Sequence, residues 1–255
     1  MTLLNCAWSP PPEDLVLLHH EIHIWRAFLD QPLSLVERFA QTLSADERTR
    51  AERYYFVHDK QHFIVARGLL RSILGNYTNV EPGHLEFCSG PYGKLALAQT
   101  SSRYALRFNL SHSHGLALYA FTRDQEVGID LEYIRPIAEA QQIAERYFSL
   151  QKRNTLRNLP SADLDRQFFT YWTRMEAYLK ACGDGLRGIG DYELTKDNSN
   201  SASWSIQSLI PAPGYIAALA VLAGFIGDAD HYAEVWWCPP TTPLLRVLYY
   251  EWEPK

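Results

Sequence analysis

The run Val127-Gly128-Ile129-Asp130-Leu131-Glu132 sets two carboxylates two residues apart at the end of an apolar, β-branched segment. Residues i and i+2 of a strand project from one face, so Asp130 and Glu132 can converge on one hard cation, and Mg²⁺ suits such oxygen ligands. Two acids at a strand end, taken in isolation, are more commonly solvated surface charge. A third carboxylate stands in the helical run Phe168 to Lys180. At about 100° per residue, Glu176 projects between Phe169 and Trp172, inside the apolar sector of that helix. A carboxylate there has to be paired, metal-bound or protonated. Lys180 lies one turn further on and can pair with Glu176 at i,i+4, which is the structural alternative to a functional acid.

Phe108-Asn109-Leu110-Ser111-His112-Ser113-His114 closes a strand-like run with an HxH pair. Both rings would share one strand face, but no spaced cysteine or third histidine completes a zinc set, although His19, His20 and His23 exist elsewhere. One histidine donating to a phosphate is the simpler chemistry. Gly183-Asp184-Gly185-Leu186-Arg187-Gly188 matches GxGxxG but follows a helix, so it reads as a helix C-cap and loop and not as a dinucleotide-binding turn. The absence of GxxxxGK[ST] and GxSxG leaves a P-loop nucleotidase and an α/β-hydrolase without support.

These residues need elements to hold them. Residues 34–75 read as helical: apolar positions recur at three and four spacing, no proline intervenes, Ser44 and Glu47 form a capping box, and Gly75 serves as C-cap. From Arg48 to Arg71, Arg48, Arg50, Arg53, Lys60, Arg67 and Arg71 stand against only Glu52 and Asp59, so a polyanion could settle there. Ala105–Leu110, Leu116–Phe121, Val127–Leu131 and Tyr215–Val221 read as strands, and Ile137–Phe148 and Asp165–Cys182 as helices. Thr122-Arg123-Asp124-Gln125 is the candidate boundary between two halves, and Asn198-Ser199-Asn200-Ser201 a surface loop. Strands and helices do not alternate strictly, which favours α+β over a doubly wound sheet.

The 255 residues carry a formal charge of −5, with 47% hydrophobic and 21% charged content, ordinary values for a globular chain and unlike disordered or collagen-like ones. The apolar run Tyr215 to Ile226 is shorter than the roughly 18–20 residues of a bilayer span. Met1 to Cys6 holds no basic segment of a secretory signal, so a cytoplasmic protein is expected. Cys6, Cys88, Cys182 and Cys238 form no CxxC pair and read as buried free thiols.

Together, YGKL at 92–95, FNLSHS at 108–113, GIDLE at 128–132 and WTRMEAYLKA at 172–181 resemble the 4′-phosphopantetheinyl transferases, in the order of their long, Sfp-type branch. The resemblance covers about residues 44–221. The family pattern is GxDxE followed, some forty residues on, by WxxKExxxK. The resemblance implies two similar α+β halves in a pseudo-twofold arrangement, 1–123 and 124–255, with coenzyme A in the cleft between them and a monomeric state. The implied reaction moves the 4′-phosphopantetheine arm of coenzyme A to a serine hydroxyl of an apo acyl, polyketide or peptidyl carrier protein, releasing adenosine 3′,5′-bisphosphate. Neither a nucleic acid nor a membrane is an expected partner.

By the same resemblance Asp130, Glu132 and Glu176 hold Mg²⁺, Glu176 is the general base and Lys180 steadies the pyrophosphate. Arg50, Arg67, Lys94 and His112 meet the 3′-phosphate, Gly93 borders the adenine, and Ser111 also faces coenzyme A. Two positions depart from the pattern. Met175 stands where lysine usually precedes the helix glutamate, removing a cation from the phosphate site, and Lys152 stands where some relatives carry glutamate. Met175 motivates a second reading, a non-catalytic or weakly active relative that binds carrier proteins. A third, a Mg²⁺-dependent phosphohydrolase, uses the same acids with water as acceptor.

Overall fold

The computed structural model describes residues 3–90, 92–98, 105–183, 185, 192, 204–222, 225–227 and 244–254. In chain order the elements are β1 (Leu3–Asn5), β2 (Glu21–Phe28), α1 (Leu33–Thr42), α2 (Ala45–Ala51), α3 (Val57–Thr78), β3 (Phe87–Ser89), β4 (Leu95–Leu97), β5 (Leu106–Ser113), β6 (Leu116–Arg123) and β7 (Val127–Tyr133). They continue as α4 (Ala140–Tyr147), α5 (Leu150–Arg157), α6 (Ser161–Cys182), β8 (Trp204–Ile210), β9 (Tyr215–Leu222), β10 (Phe225–Gly227) and β11 (Leu244–Glu251). The fold is α+β.

Two sheets form the centre, one ordered β1-β8-β9-β7 and the other β10-β11-β2-β6-β5. Each takes a strand from the far end of the chain: β1 pairs in parallel with β8, and β11 in parallel with β2. The sheets pack face to face through Ile22, Ile24, Leu116 and Leu118 of one and Val127, Ile129, Leu131 and Leu219 of the other. On its outer face the five-stranded sheet buries Trp25, Tyr119 and Phe121 under α3, while the four-stranded sheet buries Ile216, Ala218 and Ala220 under α6. Strands covered on both faces lose polar alternation, which is why β6 and β9 read as unbroken apolar runs.

The helical stretch 34–75 is three helices, not one. A capping box can only begin a helix: Ser44 Oγ accepts the Glu47 N–H and the Glu47 carboxylate accepts the Ser44 N–H, so α1 stops at Thr42 and α2 starts at Ala45. Gly75 is not the C-cap. Helix α3 runs on to Thr78 and ends at Asn79 in the left-handed conformation (φ 54°). Gly75 lies beneath the returning chain, where a Cβ would stand 2.8 Å from the Val80 carbonyl oxygen. Gly183 does cap α6, with φ 75° and its N–H donating to Leu179 O. Asn198–Ser201 and Cys238 lie outside the described residues. Of the other cysteines, Cys6 and Cys182 are half-buried and Cys88 is exposed, the last because β3 belongs to a two-stranded hairpin and not to the core. Among the described residues no helix is long and apolar enough to cross a membrane.

Candidate active site

β5 and β7 are the edge strands at which the two sheets meet, and side chains join them. Asn109, Ser111 and Ser113, successive residues on one face of β5, accept the backbone N–H groups of Ile129 (2.9 Å), Leu131 (3.2 Å) and Tyr133 (3.2 Å). The two serines then turn their own protons to the acids: Ser111 Oγ donates to Asp130 Oδ1 (3.1 Å) and Ser113 Oγ to Glu132 Oε2 (3.1 Å). The NLSHS pattern therefore aims both carboxylates of β7. Asn109 and Ser113 escape a reading that looks for ligand-binding residues, although their two-residue spacing opposite DxE is a visible signal.

Helix α6 brings the third acid. Gly128 lets it approach, because a Cβ there would stand 2.0 Å from Ala177 O and 2.5 Å from Ala181 N. At that separation Lys180 Nζ donates to Asp130 Oδ1 (2.6 Å), Ser111 Oγ (3.0 Å) and Ile129 O (3.3 Å). The alternative i,i+4 pair with Glu176 does not form, since Asp130 is buried and the stronger demand for a counter-charge lies there. Glu176 is half-buried with no hydrogen bond or ion pair among the described residues. Ser111 donates once and accepts twice, which saturates its hydroxyl.

The acids carry excess negative charge. Burial pushes the Asp130 pKa up, against the lowering pull of Lys180; burial and then the Asp130 charge raise Glu132; burial, Asp130 and Glu132 raise Glu176. Asp130 Oδ2 is buried without any hydrogen-bond partner among the described residues. Such an atom, with the Asp130 charge reaching both Glu132 and Glu176, suits a hard divalent cation, and the ligand oxygens of the three acids, which do not all lie within 4.8 Å of one another, would draw together around it. The solvated-surface reading of DxE does not describe Asp130, which is 5% exposed.

A cleft of about 600 Å³ is lined by Arg50, Arg67, Gly93, Lys94, Ser111, His112, Glu176 and Lys180 among others; of the three acids Glu176 reaches its wall, and Ser111 and Lys180, which bond Asp130, connect it to that second acid. It thus gathers residues from α2, α3, the β3–β4 turn, β5 and α6. Gly93 holds φ 82° in that turn. His112 lines the cleft, and desolvation, followed by the charges of Lys180, His62 and Arg50, holds its pKa below the usual histidine value. His114 does not share its face: it leaves β5 for a turn at φ 45° and stacks on Tyr133, so the HxH pair does not converge.

Much of the basic stretch is neutralised internally. Arg71 is fully buried and bonds Glu47 at 2.7 Å, Arg67 Nε lies 2.9 Å from the same carboxylate, and Lys60 bonds Glu52 at 2.8 Å. Arg50, against the Phe63 ring, has no hydrogen bond or ion pair among the described residues. Lys94 Nζ bonds Glu126 and Ala181 O, both at 2.6 Å, tying the β3–β4 hairpin to the end of α6. Met175 is fully buried in the core beneath α6, so this position supplies nothing to the cleft. Lys152 is also buried, its Nζ 4.3 Å from the Tyr192 ring centroid.

Two family descriptions match the chain: "4′-phosphopantetheinyl transferase, N-terminal" over residues 25–123 and "4′-phosphopantetheinyl transferase superfamily" over residues 126–219. It is 43% identical to the 4′-phosphopantetheinyl transferase HetI of Nostoc sp., across 88% of this chain and 96% of that protein. It is 30% identical to the 4′-phosphopantetheinyl transferase Sfp of Bacillus subtilis, across 64% and 71%, and 32% identical to psf-1 of Bacillus pumilus, across 59% and 62%.

Proposed function

This chain belongs to the 4′-phosphopantetheinyl transferase superfamily and is an enzyme of that class, and we propose that its cleft binds coenzyme A with Mg²⁺ and delivers the 4′-phosphopantetheine arm to a carrier-protein serine. The observation that carries this reading is the buried Asp130 Oδ2, unpartnered among the described residues and electrostatically coupled to two acids of raised pKa, one of which, Glu176, lines a cleft that also carries Arg50, Arg67, Lys94 and Lys180.

Asp130, Glu132 and Glu176 would hold the ion, which supplies charge neutralisation on the pyrophosphate when bound. Arg50, Arg67 and His112 meet the nucleotide 3′-phosphate. The arriving anion offsets the neighbouring cations, so His112 takes up a proton as coenzyme A binds. Lys94 can join that contact by leaving Glu126 or Ala181. Glu176, without a partner among the described residues and kept basic by its neighbours, takes the proton of the serine hydroxyl as the serine oxygen forms a bond to the phosphorus bearing the pantetheine arm. The bond to the bridging oxygen breaks, and adenosine 3′,5′-bisphosphate leaves with charge that Lys180 balances.

The division of the chain at the Arg123–Asp124 turn, a monomeric state and a cytoplasmic location belong to the same proposal. The non-catalytic reading rested on Met175, and a side chain in the core removes its motivation.

Incubation of the chain with coenzyme A, Mg²⁺ and apo carrier proteins, read by intact mass, tests the proposal. Addition of the arm is expected, lost on chelation and in Asp130→Asn. Arg50→Met should weaken coenzyme A by about 1.5–3 kcal/mol, the worth of a charge-assisted bond, and spare dephospho-coenzyme A. Transfer insensitive to chelation, or equal loss for both nucleotides, refutes the corresponding assignment.

A further inference from the structure

Away from the three acids, the end of β2 meets the first two turns of α3. His58 and His62, at i and i+4 on one helix face, both direct Nε2 at Asp30 Oδ1, at 3.2 Å and 2.8 Å. The ligand atoms of all three side chains lie within 4.8 Å of one another, and no other group of three His, Cys, Asp or Glu among the described residues meets that condition. A tetrahedral ion with ligands at about 2.0–2.2 Å keeps them about 3.3 Å apart, against 3.2 Å and 2.8 Å from the two histidines to Asp30. We propose that Asp30, His58 and His62 form a binding site for a borderline divalent transition ion of the zinc class, distinct from the carboxylate centre.

Ligand type selects the ion. Two imidazoles and one carboxylate suit zinc, cobalt or nickel, whereas magnesium prefers oxygen alone. The histidine protons would move to Nδ1, and in His58 that atom lies 3.7 Å from Asp59 Oδ1, a carboxylate placed to support the ring from behind. The site is also fixed from beneath. Leu29 N–H donates to Gly115 O at 2.7 Å, locking the backbone next to Asp30. Gly115, at φ 79°, leaves room that a Cβ would take, 3.0 Å from Asp30 Oδ2 and 3.6 Å from the His62 ring. Asp30 and His58 side chains are 72% and 65% exposed, so an ion can enter without opening the fold and keeps a coordination position for water. The cluster is next to the cleft: the His62 charge acts on His112.

Titration of the untagged chain with Co²⁺ in excess Mg²⁺, followed by visible absorption, tests this, because Mg²⁺ saturates the oxygen centre. One ion per chain is expected, with the absorption of nitrogen-ligated cobalt, displaced by Zn²⁺. His58→Ala should cut affinity at least about tenfold, since changes merely behind a ligand already cost 10–100-fold. Exposed His58 can be replaced with little effect on the fold, and Asp30→Asn gives a second variant with the backbone unchanged. His19→Ala should bind as the parent does. Cobalt affinity unchanged in both His58→Ala and Asp30→Asn, or no saturable nitrogen-ligated site in the parent, overturns the proposal whatever the fate of the transferase reading.

Discussion

Gly128→Ala should damage catalysis and stability together, because one methyl group stands between the acid-bearing strand and the acid-bearing helix. The added Cβ would lie 2.0 Å from Ala177 O, 2.5 Å from Ala181 N and 2.9 Å from Ala181 Cβ. Ordinary contact begins at 3.4 Å, so the first of these is about 1.4 Å too close. Two of the three atoms are helix backbone, which cannot rotate aside, and α6 must move away from β7 by about 1 Å. Overpacking of this kind costs about 1–3 kcal/mol, and each kcal/mol lowers Tm by about 2–4 °C at this chain length. The shift also draws Lys180 from Asp130, now 2.6 Å away, and Glu176 from the other acids. A 1 Å misplacement can cost about 10²-fold in rate. Differential scanning fluorimetry and a carrier-protein transfer assay measure both effects. Adding Ala181→Gly should not rescue, since it leaves the two backbone contacts in place. A Gly128→Ala enzyme with parental Tm and turnover within a few-fold of the parent, a small change on that scale, refutes the claim that this glycine sets the distance between strand and helix.

Glu176→Gln should lose about 10²- to 10⁴-fold in turnover with thermal unfolding little changed, because the carboxylate has no partner among the described residues to lose; a variant near parental activity would remove the general-base role. Met175→Lys should not raise turnover but destabilise, by about 3 kcal/mol or more, since it buries an ammonium in an apolar core; urea unfolding at parental midpoint would contradict this. His23 is buried and neutral, its pKa lowered to about 4 chiefly by desolvation against the raising effect of Glu21. Its folded pKa lies below the unfolded value of about 6.5, so stability is full above pH 6.5 and drains as pH falls towards 4, by on the order of 3 kcal/mol. Urea midpoints measured across that window should show the slope, and His23→Gln should flatten it. Acidification should also weaken Mg²⁺ binding, because Asp130, Glu132 and Glu176 all have raised pKa values and must give up protons to the buffer for the ion to bind; calorimetry in buffers of different ionisation enthalpy reads the released protons, and a pH-independent affinity would exclude these acids as ligands.

What the chain could declare by itself was periodic and local. The two-residue spacing of Asp130 and Glu132 placed both on one strand, the apolar sector around Glu176 marked an acid that needed a reason, and the Ser44–Glu47 box appeared where the sequence put it. Strand spacing and helix spacing are properties of the backbone, so they can be read without knowing any neighbour. The tertiary structure decided the partners. Lys180 turned to Asp130 and not to Glu176, because the helix crosses β7 closely enough for the more buried carboxylate to claim the ammonium. Met175, next to Glu176 in sequence, faces the core, since adjacent helix residues point about 100° apart and only packing says which direction is inside. Arg67 and Arg71 looked like cations waiting for an anion, yet Glu47 from a different helix meets both. Asn109, Ser111 and Ser113 became the link between two sheet edges only when those edges met, and β1 and β11 crossed to the opposite sheets for the same kind of reason. An ion pair, a buried face or a sheet edge is completed by residues far away in the chain, so no local pattern contains it.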